Sequence, residues 1–230
     1  MNSLDIPYIV CSILCFIPAV VFHEVSHGFA AYKLGDPTAK SQGRLSLNPI
    51  KHIDPFGTVL LPAMLMFMNM PVFGYAKPVP YNPRYFKDVR KGDLIVGLAG
   101  PAANLAMALV GALIYQAIYY GVSALDYSTA AALVNSPAFY YVFYYFLPLF
   151  VYINLIFMCF NLIPIPPLDG SSIFAFLMPI KYLPTYYKIQ QYALPIFMII
   201  VIVVPEVFNV NPIGWFLNIT AGNLFNLLLG

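Results

Sequence analysis

Charge is what this sequence lacks most. Only 9% of its 230 residues are Asp, Glu, Lys or Arg, against about 25% in soluble domains, while 61% are hydrophobic. That balance excludes a soluble enzyme and a disordered scaffold, and it points to a chain embedded in a lipid bilayer. The net charge of +2 leaves no basic surplus for nucleic acid. Cysteine is sparse as well. Cys11, Cys15 and Cys159 are odd in number and sit in apolar stretches, so they read as reduced packing residues and not as a secreted disulfide framework. No lysine or arginine precedes Lys33, so the apolar start lacks the charged region of a cleavable signal peptide and is expected to be mature structure. Asn218-Ile219-Thr220 matches a glycosylation pattern but lies in a long uncharged run, where the match is read as chance.

The few charges divide the chain into apolar runs. From Ile6 to Tyr32 the only formal charge is Glu24, and a helix of that length exceeds the roughly 20 residues needed to cross a bilayer. Leu94 to Leu125 is uncharged and rich in small residues, among them Gly97, Gly100, Ala103 and Gly111, which suit close helix packing in a membrane. After a polar turn around Ser128 to Pro137, an aromatic-rich helix is expected from about Phe139. Two further uncharged runs flank Pro205 and Pro212. The expected fold is therefore an all-α polytopic membrane protein. It is a single domain over 1–230, with core spans at about 6–32, 94–121 and 139–163 and a C-terminal pair at about 189–205 and 212–229, making five full spans.

The run 55–76 is interrupted by Pro55, Gly57, Pro62, Pro71 and Gly74, and broken backbone survives at membrane depth only where protein or water satisfies it. All eleven basic residues fall in 33–51, 77–91 and 181–188. If 55–76 enters and returns on one side as a re-entrant hairpin, every one of them is cytoplasmic, with the N-terminus outside and the C-terminus inside. A full crossing would split them between two faces. The stretch that follows, 74–82, has two prolines and reads as an edge strand or extended segment.

Chemistry gathers in the first span. His23-Glu24-Val25-Ser26-His27 is an H-E-x-x-H motif on a helix, which puts the two imidazoles one turn apart on one face, about 6 Å along the axis. Such a pair can grip one metal ion, and imidazole suits zinc, whose catalytic sites use three protein ligands and leave a position for water. Glu24 is then placed as a general base. Ionisable groups in an apolar span cost about 2.5 kcal/mol or more at its centre, so they are functional by default. Of the remaining carboxylates most sit in polar loops. Asp169 ends an uncharged stretch behind Pro164, Pro166 and Pro167, which break a helix and expose its last carbonyls. It is the leading third ligand, with a helix cap before Ser171 as its other reading and Glu206 as the next carboxylate in line.

Together these pieces resemble a site-2 protease, the intramembrane zinc metalloproteases of peptidase family M50. The resemblance rests on His23 to His27, on Ala99-Gly-Pro-Ala-Ala-Asn104 and on Asn161-Leu-Ile-Pro-Ile-Pro-Pro-Leu-Asp-Gly170, in that order, with Ser46 to Gly57 and Gly74 to Pro80 also similar to compact members. It implies a three-span metalloprotease core with His23, His27 and Asp169 as ligands of one zinc ion per chain and Glu24 as the base. It further implies that Asn161 and Asn104 help hold the substrate backbone. Ser171 stands where many members carry a second glycine, and no insertion is long enough for a PDZ or CBS domain.

The expected activity is zinc-dependent intramembrane endopeptidase action on a transmembrane protein or peptide, near the cytoplasmic face of a cell membrane. A substrate helix must unwind first, because its amides are locked in their own hydrogen bonds. Asn161, Asn104 and the edge of Lys77 to Asn82 could replace those bonds. His52 is read either as an oxyanion donor or substrate-orienting group, or as an interfacial histidine beside Lys51. The rival reading is a membrane metal-binding protein without hydrolysis, or a metal or proton carrier.

Overall fold

The structure is a computed structural model and describes residues 6–67 and 75–230. It is all-helical, with no strand among the described residues. Among the described residues three helices are long and apolar enough to cross a membrane: α1 (Ile6–Lys33), α2 (Val89–Ser123) and α3 (Pro137–Asn161). Both α1 and α3 lie along α2, and α1 also touches α3.

The seam between α2 and α3 is built from small residues facing large ones. Ala108 and Ala112 pack against Val151, Leu155, Met158 and Cys159, with Ala221 from the last helix closing the cluster. On the outward faces Ile13, Leu14 and Leu113 are 51%, 54% and 70% exposed. Apolar side chains turned outward along three long helices are stable only against lipid, so this is a membrane protein.

Helix ends follow local capping chemistry. Asp88 caps α2 by accepting the Lys91 N–H at 3.1 Å, which draws Arg90, Lys91 and Asp93 into the helix and starts it at Val89, ahead of the expected 94. Ser136 caps α3 in the same way through Phe139 N–H. The sequence between them, expected as a polar turn, contains a helix at Tyr127–Val134, because Asp126 accepts the Thr129 N–H. The leading end of the terminal pair also shifts. Leu183–Gln190 is a separate short helix, and helical runs then cover 193–208, with π-type hydrogen bonding over Ile199–Val203, and 212–229.

Asp54 caps a π-helical turn at Pro55–Leu60 that leads into Leu61–Phe67. Residues 68–74 of the 55–76 run lie outside the described residues. The two ends of this excursion meet. Tyr75 donates its N–H to the Gly57 carbonyl at 3.0 Å, and the Thr58 hydroxyl donates to the Tyr75 carbonyl at 2.9 Å.

Candidate metal centre

One turn of α1 presents His23 and His27 toward α2, where Gly100 opens the space they occupy. A Cβ built on Gly100 would lie 2.5 Å from His27 Nε2 and 2.7 Å from His23 Nε2. The third component comes from the loop after α3. Asn161 closes that loop by accepting the Gly170 N–H through its backbone carbonyl at 2.6 Å, and Ser172 donates both its N–H and its hydroxyl to the Asp169 carbonyl. A cis Pro166–Pro167 bond lies within the same loop. The short helix Ser171–Leu177 has no side-chain cap. The Asp169 carboxylate is thus not spent as a cap. It points at the imidazoles, with Oδ2 3.0 Å from His23 Nε2 and 3.3 Å from His27 Nε2.

Hydrogen bonds fix the proton positions. His23 Nδ1 lies 2.6 Å from Asn104 Oδ1, and His27 Nδ1 lies 2.7 Å from the Val96 carbonyl. Asn104 has its amide orientation set by donating to the Ala19 carbonyl and to Asn154 Oδ1. Both partners of the imidazoles are therefore acceptors, each Nδ1 carries the proton, and in the neutral rings both Nε2 atoms present bare lone pairs. Those lone pairs face each other across 3.1 Å, and buried Asp169 Oδ2 has no hydrogen-bond donor. Three converging lone pairs repel unless a cation sits among them. The ligand atoms of a tetrahedral zinc site, with bonds of about 2.0–2.1 Å, lie roughly 3.3 Å apart, and the spacing here matches. The residues fit a zinc ion.

Glu24 is half-buried beside this trio, and its Oε2 accepts the Val79 N–H at 3.0 Å. Glu24, His27 and Asp169 open onto a cleft of about 370 Å³, lined also by Val79, Tyr81 and Asp93. The segment 75–82 crosses its rim without forming a strand, because its backbone groups are taken by other parts of the protein. Lys77 N–H goes to the His52 carbonyl, the Lys77 and Pro78 carbonyls accept from Arg44, and the Asn82 N–H goes to Asp36. The sequence treats this edge as open for strand addition; its 77–79 portion and Asn82 are already engaged.

The remaining expected site residues do not line the cleft. Asn104 is fully buried and holds His23, a role that sequence reasoning missed because it depends on a partner 81 positions away. Asn161 donates its amide to the Phe157 carbonyl in its own helix. His52 is buried with Nε2 on the Ser46 carbonyl at 2.8 Å. Asp36 and Arg44, which no motif singles out, anchor the segment that holds Val79 over Glu24.

Residues 11–204 match the profile of peptidase family M50. The chain is 36% identical over 195 residues to the "Putative zinc metalloprotease YwhC" of Bacillus subtilis, covering 84% of this chain and 80% of that one. It is also 28% identical over 155 residues to the "Putative zinc metalloprotease Rip2" of Mycolicibacterium smegmatis, covering 67% of this chain and 52% of that protein. No solved structure matches. A match of this extent, over a chain whose imidazoles and carboxylate converge in this way, means that the protein belongs to peptidase family M50 and is a metalloendopeptidase.

Proposed function

We propose that the protein is a zinc-dependent intramembrane endopeptidase that cleaves transmembrane polypeptides near the cytoplasmic face, with Glu24 as general base. The observation that carries this reading is the convergence of His23, His27 and Asp169 around one point beside Glu24, at a cleft lined by α1, α2 and the loop that carries Asp169, in a protein with three helices long and apolar enough to cross a membrane among its described residues. His23, His27 and Asp169 would hold the zinc ion, which would supply Lewis acidity that makes the attacking water easier to deprotonate. Glu24 takes the proton from the attacking water and returns it to the leaving amide nitrogen. The Val79 N–H holds the Glu24 carboxylate in place, and Asn104 fixes the tautomer of His23 so that Nε2 stays bare.

The meeting of Tyr75 with Gly57 supports an excursion that returns to the side it left. With it goes the topology of five spans, all basic clusters cytoplasmic, the N-terminus outside and the C-terminus inside. In this arrangement Asn161 and His52 act within the fold, as a loop closure and a buried loop contact, ahead of any contact with substrate.

The test uses detergent-purified protein, its Glu24→Gln variant and a labelled single-span substrate, with and without a chelator. Wild type should cleave, lose cleavage with the chelator and regain it with zinc. Glu24→Gln should keep its zinc while turnover falls by about 10²–10⁴-fold. Undiminished turnover would remove Glu24 as the base. Zinc binding without cleavage of any substrate by wild type would favour the carrier reading.

A further inference from the structure

The carboxylates sort themselves by what satisfies them. Asp54, Asp88 and Asp126 accept backbone N–H groups at helix starts, Asp36 takes those of Thr38 and Asn82, Glu24 takes that of Val79, and Asp169 faces the two imidazoles. Asp93 stands apart. It lines the cleft one turn of α2 before Val96 and Gly97, its Oδ1 is buried, and that atom has no hydrogen-bond partner. Among the described residues no lysine or arginine pairs with it. Arg90, the cation nearest in sequence on its own helix face, is turned to the carbonyls of Ala175, Phe176 and Met178.

Tyr81 and Tyr187 line the same cleft. Burial pushes both hydroxyls above their ordinary pKa, the Asp93 charge adds to the push on each, and the Tyr81 hydroxyl donates a hydrogen bond to the Asp93 carboxylate, whose Oδ1 remains without a partner. A carboxylate without a cation, with one buried oxygen free to accept and two phenol side chains lining the same cleft, is an arrangement that receives an ammonium or guanidinium group through charge-assisted hydrogen bonds. A polypeptide leaving the membrane on the cytoplasmic side is enriched in lysine and arginine. We propose that Asp93, with Tyr81 and Tyr187, forms a binding subsite for a basic side chain of the substrate, located beside the metal centre. The proposal rests on the peptidase reading above. It assigns the cleft a preference for substrates with lysine or arginine close to the scissile bond on the cytoplasmic side.

The experiment reads binding separately from cleavage. A fluorescein-labelled single-span peptide, with lysine moved through the five residues on the cytoplasmic side of its span, is titrated by anisotropy against the Glu24→Gln protein. At one position lysine should bind at least about tenfold tighter than glutamine, the effect of a hydrogen bond to a charged group. Adding Asp93→Asn should erase that ratio, Asp93→Glu should keep it, and Asp93→Lys should invert it in favour of glutamate, a gain that a misfolded protein cannot supply. A lysine preference that survives Asp93→Asn, or no preference at any position, would overturn the subsite. If the preference is present but protein with Glu24 intact cleaves none of the peptides, the subsite stands and the peptidase reading fails. Cleavage without any preference sinks the subsite alone.

Discussion

At the residue scale, Gly100 and Asn104 matter for different reasons. A methyl group on Gly100 would occupy the space of both His23 and His27, and the shift that relieves it must come from the ligands themselves. Gly100→Ala should therefore lower zinc stoichiometry in the purified protein well below one per chain, measured by atomic absorption, while far-UV circular dichroism still reports the helices. Full zinc loading in that variant would mean that the imidazoles need no such cradle. Asn104→Ala removes the acceptor that keeps the proton on His23 Nδ1. Loss of a group that orients a metal-binding histidine costs about 10–100-fold in affinity, so zinc should be lost to a competing chelator at correspondingly lower concentration. The H-E-x-x-H pair was legible in the sequence because its meaning is local, two imidazoles one helical turn apart. Asp169 was legible by elimination, since a carboxylate behind three prolines has few other uses. Asn104, which the family resemblance makes a substrate contact, also makes a tertiary hydrogen bond to His23, and no spacing rule encodes one.

The segment 75–82 carries the next scale. Its prolines foretold an extended path, but not that Asp36, Arg44, His52 and Glu24 would satisfy its backbone from four other places. Three of those anchors, Asp36, Arg44 and His52, arrive through the loop folded after α1, where Gly35 turns the chain with a φ of 103° that favours glycine. Asp36 is fully buried. Burial raises its carboxyl, but hydrogen bonds from Thr38 and Asn82 outweigh that and hold it below the ordinary carboxylate range. A depressed folded-state pKa gives stabilisation that is full above the unfolded value of about 3.9 and lost as pH falls through the folded one. Hydrogen exchange at the Asn82 amide, corrected for its intrinsic pH dependence, should thus lose protection only in strong acid. Asp36→Ala should accelerate it at neutral pH by roughly 5- to 150-fold, the equivalent of about 1–3 kcal/mol for an unmet buried donor. Unchanged exchange in that variant would show that Arg44 and Glu24 hold the segment unaided.

Across the whole molecule, the three long helices are readable from apolar run length, while the caps Asp88 and Ser136 start α2 and α3 ahead of the expected residues and Asp126 opens a short helix within the stretch expected as a polar turn. Topology is a separate matter, since run length does not say which face a loop occupies. The eleven basic residues decide it if 55–76 returns to its starting side, and the hydrogen bond between Tyr75 and Gly57 makes that return the shorter path. Single cysteines placed at Lys51, Lys87, Lys188 and Ser128, in a chain with Cys11, Cys15 and Cys159 replaced, test this in intact cells with a membrane-impermeant thiol reagent. Only the Ser128→Cys protein should react from outside, while the other three should react after the membrane is opened. Labelling of Lys87→Cys but not Lys51→Cys from outside would mean that 55–76 crosses completely. The cleft would then be entered from between two faces of opposite polarity, and the cytoplasmic site of cleavage would have to be abandoned.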